Sequence, residues 1–251
     1  MPRVRYLGPV RVVAVIQARA GSARLPGKIL APLGDSTVLG WCVRAARSSH
    51  LVDEVVVATS TDPTDDDTAA ECARLDVECV RGDLTDLTAR YAAAARAHPA
   101  EAYVRLTADC PLLDPELIDE CVAVMRAGGD IDLVSNCIER TYPRGLDVEV
   151  ISAPALERVD AEATEFHRVH VTTWITDTPS GMAVVGIADG TDNSDLRVTV
   201  DYPEDLDLIQ RVALALGPEV IPYREVVGFL RSHPEVVAIN AGVRQKGLEE
   251  G

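Results

Sequence analysis

Short apolar runs alternate along this chain with segments of helical spacing. The runs are rich in valine and isoleucine, and each ends in a polar loop. They lie at residues 12–16, 55–58, 77–80, 103–107, 132–135 and 196–200. The helical segments lie at 37–48, 64–75, 114–125, 203–216 and 223–232, and another ends at Arg96. Strands that alternate with helices pair in parallel, so the sequence predicts an α/β fold with a mainly parallel sheet flanked by helices.

The region from 140 to 195 is less regular. Residues 146–150 alternate apolar and acidic side chains, which is typical of a strand with one buried face. Residues 153–178 are predicted to form two helices, and 182–187 an edge strand. We expect one domain over residues 1–251, with 140–195 as a small extension within it.

The first apolar run is followed by a loop of glycines and cations: Arg19, Gly21, Arg24, Gly27 and Lys28. The formal net charge of the chain is −16, yet residues 1–34 contain six arginines or lysines and no acidic residue. Lysine occurs only at positions 28 and 246. Glycines allow close approach of the backbone, and cations match phosphate charge, so we interpret the loop as an anion cradle. The alternative is a basic surface loop with ordinary turn residues.

Spacing excludes two common phosphate-binding motifs. The P-loop pattern G-x4-G-K-[ST] does not fit, because five residues separate Gly21 from Gly27 and Ile29 follows Lys28. The dinucleotide pattern G-x-G-x-x-G is absent after the first run.

Two aspartates directly follow predicted strands. Asp109 follows 103–107 and Asp201 follows 196–200, and each precedes a proline and a helix start. Open α/β sheets bind ligands beyond the carboxyl ends of their strands, so two carboxylates there suit a hard divalent cation. A turn aspartate that accepts hydrogen bonds from nearby amides is the alternative. Other acids are predicted to cap helices or occupy their first turns: Asp65, Asp66, Asp67, Asp114, Glu204 and Asp205.

The composition of the chain restricts the classes of ligand that it can bind. The negative net charge argues against nucleic-acid and membrane-surface ligands, which are polyanions, but leaves room for a small anionic substrate near the cationic loop. No apolar run is long enough to span a bilayer. The six cysteines form no C-x-x-C pair and are predicted to be reduced core residues of a cytoplasmic protein.

Four motifs, in this order, resemble the cytidylyltransferase family of the spore-coat polysaccharide biosynthesis protein F type. They are QARAGSARLPGKIL, RLTADCPLLDP, RTYPRGLDVEV and LRVTVDYPEDL. This family is related to the CMP-sialate and CMP-3-deoxy-manno-octulosonate synthetases. The resemblance implies a Rossmann-like nucleotidyltransferase sheet, similar to that of GT-A glycosyltransferases. It also implies transfer of CMP from CTP to an acceptor oxygen with release of pyrophosphate.

The resemblance also implies roles for individual residues. Arg19, Arg24 and Lys28 match positions that hold the triphosphate, and Asp109 and Asp201 match positions that ligate Mg²⁺. The remaining expected nucleotide-binding residues are Gln17, Ala18, Gly21, Ser22 and Arg81. The expected acceptor-binding residues are Arg140, Tyr142, Arg144, Asp147, Glu149, Arg168 and His170. By the same resemblance the protein is a homodimer whose 140–195 region reaches the partner.

The identity of the acceptor stays open. Related sequences read R-E-H-V-T where this chain has Arg168-Val169-His170-Val171-Thr172, and the missing acid at Val169 bears on the identity of the acceptor more than on the chemistry. An ionised acceptor needs no general base, whereas a sugar hydroxyl would need His170 or Asp147. The alternatives are transfer from another nucleoside triphosphate to a sugar phosphate, a GT-A glycosyltransferase, and a regulatory protein that binds nucleotide without turnover. A glycosyltransferase would usually carry a D-x-D pair, which Asp109-Cys110-Pro111 does not provide.

Overall fold

The computed structural model describes residues 10–244. Within that range the strands, β1 to β9, are Val12–Gln17, Pro32–Leu33, Ser36–Thr37, Glu54–Ser60, Glu78–Gly82, Ala102–Thr107, Leu133–Ser135, Glu149–Ser152 and Val184–Gly186. The helices, α1 to α10, are Val38–Ser48, Asp66–Arg74, Leu87–Ala97, Pro115–Ala127, Ala153–Glu162, Phe166–Val169, Thr173–Asp177, Pro203–Leu216, Tyr223–Ser232 and Pro234–Val237. Single 3-10 turns cover Lys28–Leu30 and Pro63–Asp65.

Seven strands form the main sheet, in the order β5-β4-β1-β6-β8-β7-β9. The pairs β5-β4, β4-β1, β1-β6 and β7-β9 are parallel, and β8 is antiparallel to both of its neighbours. The predicted mainly parallel sheet is therefore confirmed, with β9 at one edge. In the register, Gln17 at the end of β1 aligns with Ala58 and Thr107, so β1 and β6 end side by side and β4 continues for two more residues.

The central strand β1 is buried on both faces, as its apolar sequence predicts. Side chains alternate along a strand. Val12, Ala14 and Ile16 belong to one apolar cluster, which includes buried residues of α1, α4 and α8. Val13 and Val15 belong to the other, with residues of α3, α5 and α7. Helices thus cover both faces of the sheet, which leaves the carboxyl ends of its strands as the place where a ligand can approach.

Local capping fixes the start of α4. The Asp114 carboxylate accepts hydrogen bonds from the amides of Glu116 (2.8 Å) and Tyr223 (2.8 Å), and Pro115 is the first helical residue. The prediction of Asp114 as a structural cap is confirmed. The second bond also ties the start of α9 to the start of α4.

Two local predictions are wrong. Residues 196–200 do not form a strand of the sheet: their one ladder contact is an isolated bridge between Arg197 and Arg144. Their backbone is bonded instead to two loops, through Val198 N to the carbonyl of Arg144 (2.7 Å) and Val200 N to that of Asp109 (2.8 Å). Residues 153–178 form three helices rather than two, because α6 and α7 are separate short segments.

Gly145 allows the 140s loop to approach residues 198–199. Its φ is +108°, which disfavours any side chain, and a Cβ there would lie 2.5 Å from Thr199 N and 2.6 Å from the carbonyl carbon of Val198. A glycine is therefore required for this contact.

Among the helices of residues 10–244, none combines the length and apolar character that a bilayer span needs.

Candidate active site

A cavity of about 310 Å³ opens at the carboxyl ends of β1 and β6. This is where an open parallel sheet binds its ligands. Its walls come mainly from the cationic loop and from the residues that follow β6. They are Gln17, Ala18, Arg19, Gly21, Ser22, Ala23, Arg24, Lys28, Ile29, Arg90, Thr107, Ala108, Asp109 and Asp201. The cavity thus brings together both predicted metal-binding aspartates and every predicted nucleotide-binding residue except Arg81.

Lys28 lies between the two aspartates. Its ammonium donates to Asp109 Oδ2 (2.6 Å) and to Asp201 Oδ1 (2.8 Å). Arg24 donates to the same oxygen of Asp201 (2.5 Å), and its guanidinium lies 5.2 Å from the ring centre of Tyr202. Positive and negative groups of the site are therefore paired with one another.

The ion pairs shift the pKa values of Lys28 and Asp201, which are both buried. Burial alone would lower the pKa of Lys28, but the carboxylates of Asp109 and Asp201 raise it above the usual lysine value. Burial alone would raise the pKa of Asp201, but Lys28, Arg197 and Arg24 lower it to about 2. The raised pKa of Lys28 and the lowered pKa of Asp201 keep both of these groups charged at neutral pH.

A second layer of bonds fixes Asp201. Arg197 donates to Asp201 Oδ2 (3.0 Å) and to both oxygens of Asp205 (2.8 and 2.9 Å). Asp205 is fully buried and also accepts from the amide of Asp201 (3.0 Å) and from Asn240 Nδ2 (2.9 Å). Asp205 is indeed in the first turn of α8, as predicted, but its contacts show that it also positions the site.

Asp65 anchors the entrance of the cationic loop. Its buried carboxylate accepts from the amide of Ala20 (2.7 Å) and from the amide of Ser60 (3.2 Å). The loop closes on itself through Gly27 N and the carbonyl of Ala20 (3.0 Å), and Gly27 has a φ of +70°. The sequence predicted Asp65 only as a first-turn acid, because nothing local reveals its contact with residue 20.

Arg90 is a cavity residue that sequence reasoning missed. It is 2% exposed and donates to the carbonyl of Asp83 (2.6 Å). Arg19 and Arg90 share the carbonyl of Leu84, at 2.8 and 3.3 Å. A Cβ on Gly82 would lie 3.2 Å from Arg90 Cγ, so this glycine makes room for the arginine. In the sequence, the signal for this contact was Gly82, a residue without a side chain directly after Arg81.

The donor set at Asp109 and Asp201 fits a magnesium ion. An oxygen of each carboxylate lies within 2.8 Å of one cationic nitrogen, so both already point at a common cation position. Magnesium is commonly held by one or two carboxylates, with water and phosphate oxygens completing its shell. No group of three or more His, Cys, Asp or Glu side chains in residues 10–244 could form a cage around a metal. The arrangement therefore suits an ion that arrives with a phosphate ligand.

A family model described as cytidylyltransferase matches residues 13–217, which include the cationic loop and both aspartates. This chain is a cytidylyltransferase family member. It is 31% identical to the spore coat polysaccharide biosynthesis protein SpsF of Bacillus subtilis over 236 residues, covering 89% of this chain and 95% of that protein. The family resemblance read from the sequence motifs is confirmed.

Solved structures support the same fold. A cytidylyltransferase from Leptospira borgpetersenii superposes with a TM-score of 0.87 at 31% identity, covering 91% of this chain and 97% of that one. CMP:2-keto-3-deoxy-manno-octonic acid synthetase, solved with CTP, superposes with a TM-score of 0.64 at 17% identity, covering 82% and 99%. The Rossmann-like nucleotidyltransferase fold is thus confirmed.

The predicted acceptor-binding residues of this cytidylyltransferase lie outside the cavity lining, and ion pairs occupy several of them. Arg140 binds both oxygens of Asp147 (2.7 and 3.0 Å). Glu149 pairs with Arg105. Arg168 reaches across to α3 and α5, where it binds Asp86 (2.7 Å) and Asp160 (3.1 Å).

The other three expected acceptor residues lie in different surroundings. Tyr142 is buried edge-to-face against Tyr223, with ring centres 5.4 Å apart. His170 is half-buried, 4.7 Å from the ring centre of Phe166. Arg144 has no ion pair within residues 10–244, and burial together with the neighbouring Arg140 lowers its pKa. Because its backbone is bonded to residues 196 and 198, Arg144 is joined to the segment that ends at Asp201.

Arg81 also lies outside the cavity lining of this cytidylyltransferase. Its guanidinium donates to the carbonyls of Ser60 (2.7 Å) and Asp62 (3.0 Å) and pairs with Asp66 (2.8 Å). It therefore holds the loop after β4, the loop that also supplies Asp65.

Proposed function

We propose that this cytidylyltransferase transfers CMP from CTP to an oxygen of a small anionic acceptor and releases pyrophosphate, in a magnesium-dependent reaction. The observation that carries the proposal is the convergence of Lys28, Asp109 and Asp201 in one cavity. A lysine and two carboxylates beside a further pair of loop arginines are the groups that a metal–triphosphate complex needs. The synthetase of the same fold that was solved with CTP supports CTP as the nucleotide.

The cations of the loop hold the triphosphate in this proposal. Arg19 orients it, and Lys28 and Arg24 stabilise the departing pyrophosphate. Lys28 and Arg24 both donate to Asp201, so nucleotide binding would exchange this carboxylate partner for phosphate oxygens. Catalysis then rests on positioning and on charge neutralisation, since the attacking oxygen displaces pyrophosphate without a covalent intermediate on the protein.

Asp109 and Asp201 would hold the magnesium ion. When bound, the ion would supply Lewis-acid polarisation of the α-phosphate and a template for the two substrates. Arg197 and Asp205 keep Asp201 in place when Lys28 moves to the phosphates, because their bonds use its other oxygen and its backbone amide. The same two carboxylates that accept hydrogen bonds from Lys28 would thus also be the ligands of the ion.

Two features favour an acceptor that is already ionised. Arg144 is a half-buried cation without an ion pair in the described chain, close to the segment that carries Asp201. Asp147 is a poor general base: burial alone would raise its pKa, but the bidentate contact with Arg140 lowers it below the usual value. A carboxylate or phosphonate acceptor held by Arg144 needs no base.

We further propose that residues 1–251 act as one domain in the cytoplasm, and that residues 140–195 serve acceptor binding and homodimer formation. The edge strand β9 and the half-exposed side chains of Ile138 and Val169 support a contact near this region. The six free thiols suit a reducing compartment. Light scattering coupled to gel filtration measures the oligomeric state. A monomeric mass at assay concentration would contradict the proposed homodimer.

A pyrophosphate-release assay with CTP, Mg²⁺ and a panel of sugar acids, 2-keto acids and phosphonates tests the function. We expect turnover with one acidic class, and its loss by at least about a hundredfold in Asp109→Ala. Asp67→Ala, an exposed acid on α2, is the matched control. Turnover retained by Asp109→Ala would remove the metal assignment. Turnover with UTP, ATP or GTP in place of CTP would reassign the nucleotide.

A further inference from the structure

Two residues that line the cavity each have a buried polar atom without a hydrogen-bond partner within residues 10–244. The atoms are Nε of Arg90, a donor, and Oε1 of Gln17, an acceptor. Buried polar groups are nearly always paired, and an unpaired one costs free energy. A ligand that pairs both atoms must offer an acceptor and a donor within one cavity.

Both atoms lie on the same face of the sheet. Side chains alternate along β1, so Gln17 follows Val13 and Val15 on the face that α3 covers. Arg90 is on α3, next to Tyr91, whose hydroxyl donates to the carbonyl of Val15 (2.9 Å). The two residues therefore approach the cavity from one side, at the end of the central strand.

Arg90 and the expected metal position lie on opposite sides of the cavity, and Gln17 at the end of β1 lies between them. Arg90 packs against Gly82 at the end of β5, whereas Asp109 follows β6. The order β5-β4-β1-β6 puts three strand spacings, roughly 14 Å, between those two strand ends. A triphosphate that reaches Asp109 and Lys28 would place its nucleoside toward Arg90.

The chemistry of the two atoms favours a base over a phosphate. Phosphate oxygens only accept hydrogen bonds, so they leave Gln17 Oε1 unpaired. The edge of cytosine offers an amino group that donates, with acceptors next to it, whereas uracil has a carbonyl in place of that amino group. The neighbouring Arg19 already adds a cation at this end, and the buried Arg90 guanidinium is fixed by the carbonyl of Asp83.

We propose that Arg90 and Gln17 select the cytosine of CTP over uracil. Nε of Arg90 donates to a ring acceptor of the base, and Oε1 of Gln17 accepts from its amino group. The inference rests on the proposed function and names its base-selecting residues. UTP would place a carbonyl oxygen against Oε1 of Gln17, which leaves that acceptor unpaired and repels the base.

Calorimetric titration with CTP, UTP and inorganic tripolyphosphate, each with Mg²⁺, tests this inference. Arg90→Lys keeps the charge but removes Nε, and Gln17→Met keeps the shape but removes the acceptor. We expect each variant to lose about tenfold or more of its CTP affinity and to lower the CTP-to-UTP affinity ratio, with tripolyphosphate affinity unchanged. Arg96→Lys, an exposed arginine of the same helix, is the control and should match the wild type.

Two outcomes would overturn the inference: an unchanged CTP-to-UTP ratio in both variants, or a loss of tripolyphosphate affinity equal to that of CTP. Because Gln17 and Arg90 lie on different elements, Gln17→Met still tests the inference if Arg90→Lys unfolds, which thermal melting reveals. The wild-type titration separates the two proposals, since a wild type that binds no CTP contradicts the proposed function itself.

Discussion

Replacing Lys28 with methionine removes the cation that separates Asp109 from Asp201. Its ammonium lies 2.6 Å from one carboxylate and 2.8 Å from the other, and the side chains of Lys28 and Asp201 are each 9% exposed. Loss of one partner from a buried ion pair costs about 3–5 kcal/mol. Asp201 keeps Arg24 and Arg197, so we expect the low end, about 3 kcal/mol, which lowers Tm by about 6–12 °C for a chain of this size.

The response of Tm to Mg²⁺ distinguishes the loss of this cation from a simple loss of packing. Without the ammonium, a divalent cation can occupy the position between the two carboxylates unopposed, and ligand binding to the folded state raises Tm. We expect millimolar Mg²⁺, without nucleotide, to raise Tm more in Lys28→Met than in the wild type. Differential scanning fluorimetry with Mg²⁺ or with a chelator measures both values.

The double variant Lys28→Met with Asp201→Asn is the control, and its response to Mg²⁺ should be smaller than that of the single variant. The reasoning is refuted if Mg²⁺ raises Tm equally in wild type and Lys28→Met. It is also refuted if Lys28→Met costs less than about 1 kcal/mol, which is the range of a solvent-exposed pair.

Three further predictions concern the surroundings of the site. The pKa of Asp201 is about 2 in the folded state against 3.8 ordinarily, so its contribution of about 2 kcal/mol is complete above pH 4 and is lost as pH falls toward 2. In urea unfolding, the stability difference between wild type and Asp201→Asn should therefore shrink by that amount over this range; a constant difference would contradict it. Gly145→Ala should lower the unfolding free energy by about 2–4 kcal/mol, because the methyl group meets backbone atoms, whereas Gly181→Ala, also at positive φ but in open space, should cost about 1 kcal/mol. Equal costs would show that conformation alone matters. Asp65→Ala should lose about 2 kcal/mol of stability and weaken CTP binding in calorimetry, while the exposed Asp67→Ala should change neither.

Local chemistry explains which parts of the fold were predictable. The apolar runs of β1 and β6 and the Asp114-Pro115 helix start depend on neighbouring residues, and the structure has them close to the predicted positions. Residues 196–200 have the composition of a strand, but their partners are loops at residues 109 and 144. Strand propensity reports extended backbone and does not identify the partner that will bond it.

The candidate site was predictable where the motif itself lies and less so around it. Lys28, Asp109 and Asp201 come together as expected. Arg90 and Asp65 were missed as site residues because an arginine within a helix and an acid in a first turn are ordinary surface residues in most chains. Their burial results from contacts with Gly82 and Ala20, which are distant in sequence and appear only in the folded chain.

The bond between Lys28 and Asp201 joins residues 173 positions apart. A growing chain on the ribosome therefore makes the cationic loop early but cannot complete the site until residue 201 has emerged. Even the contact of Asn240 with Asp205 is part of the support for Asp201. A product that ends before residue 201 would contain the sequences of β1 and β6 but lack one of the two carboxylates that bind Lys28.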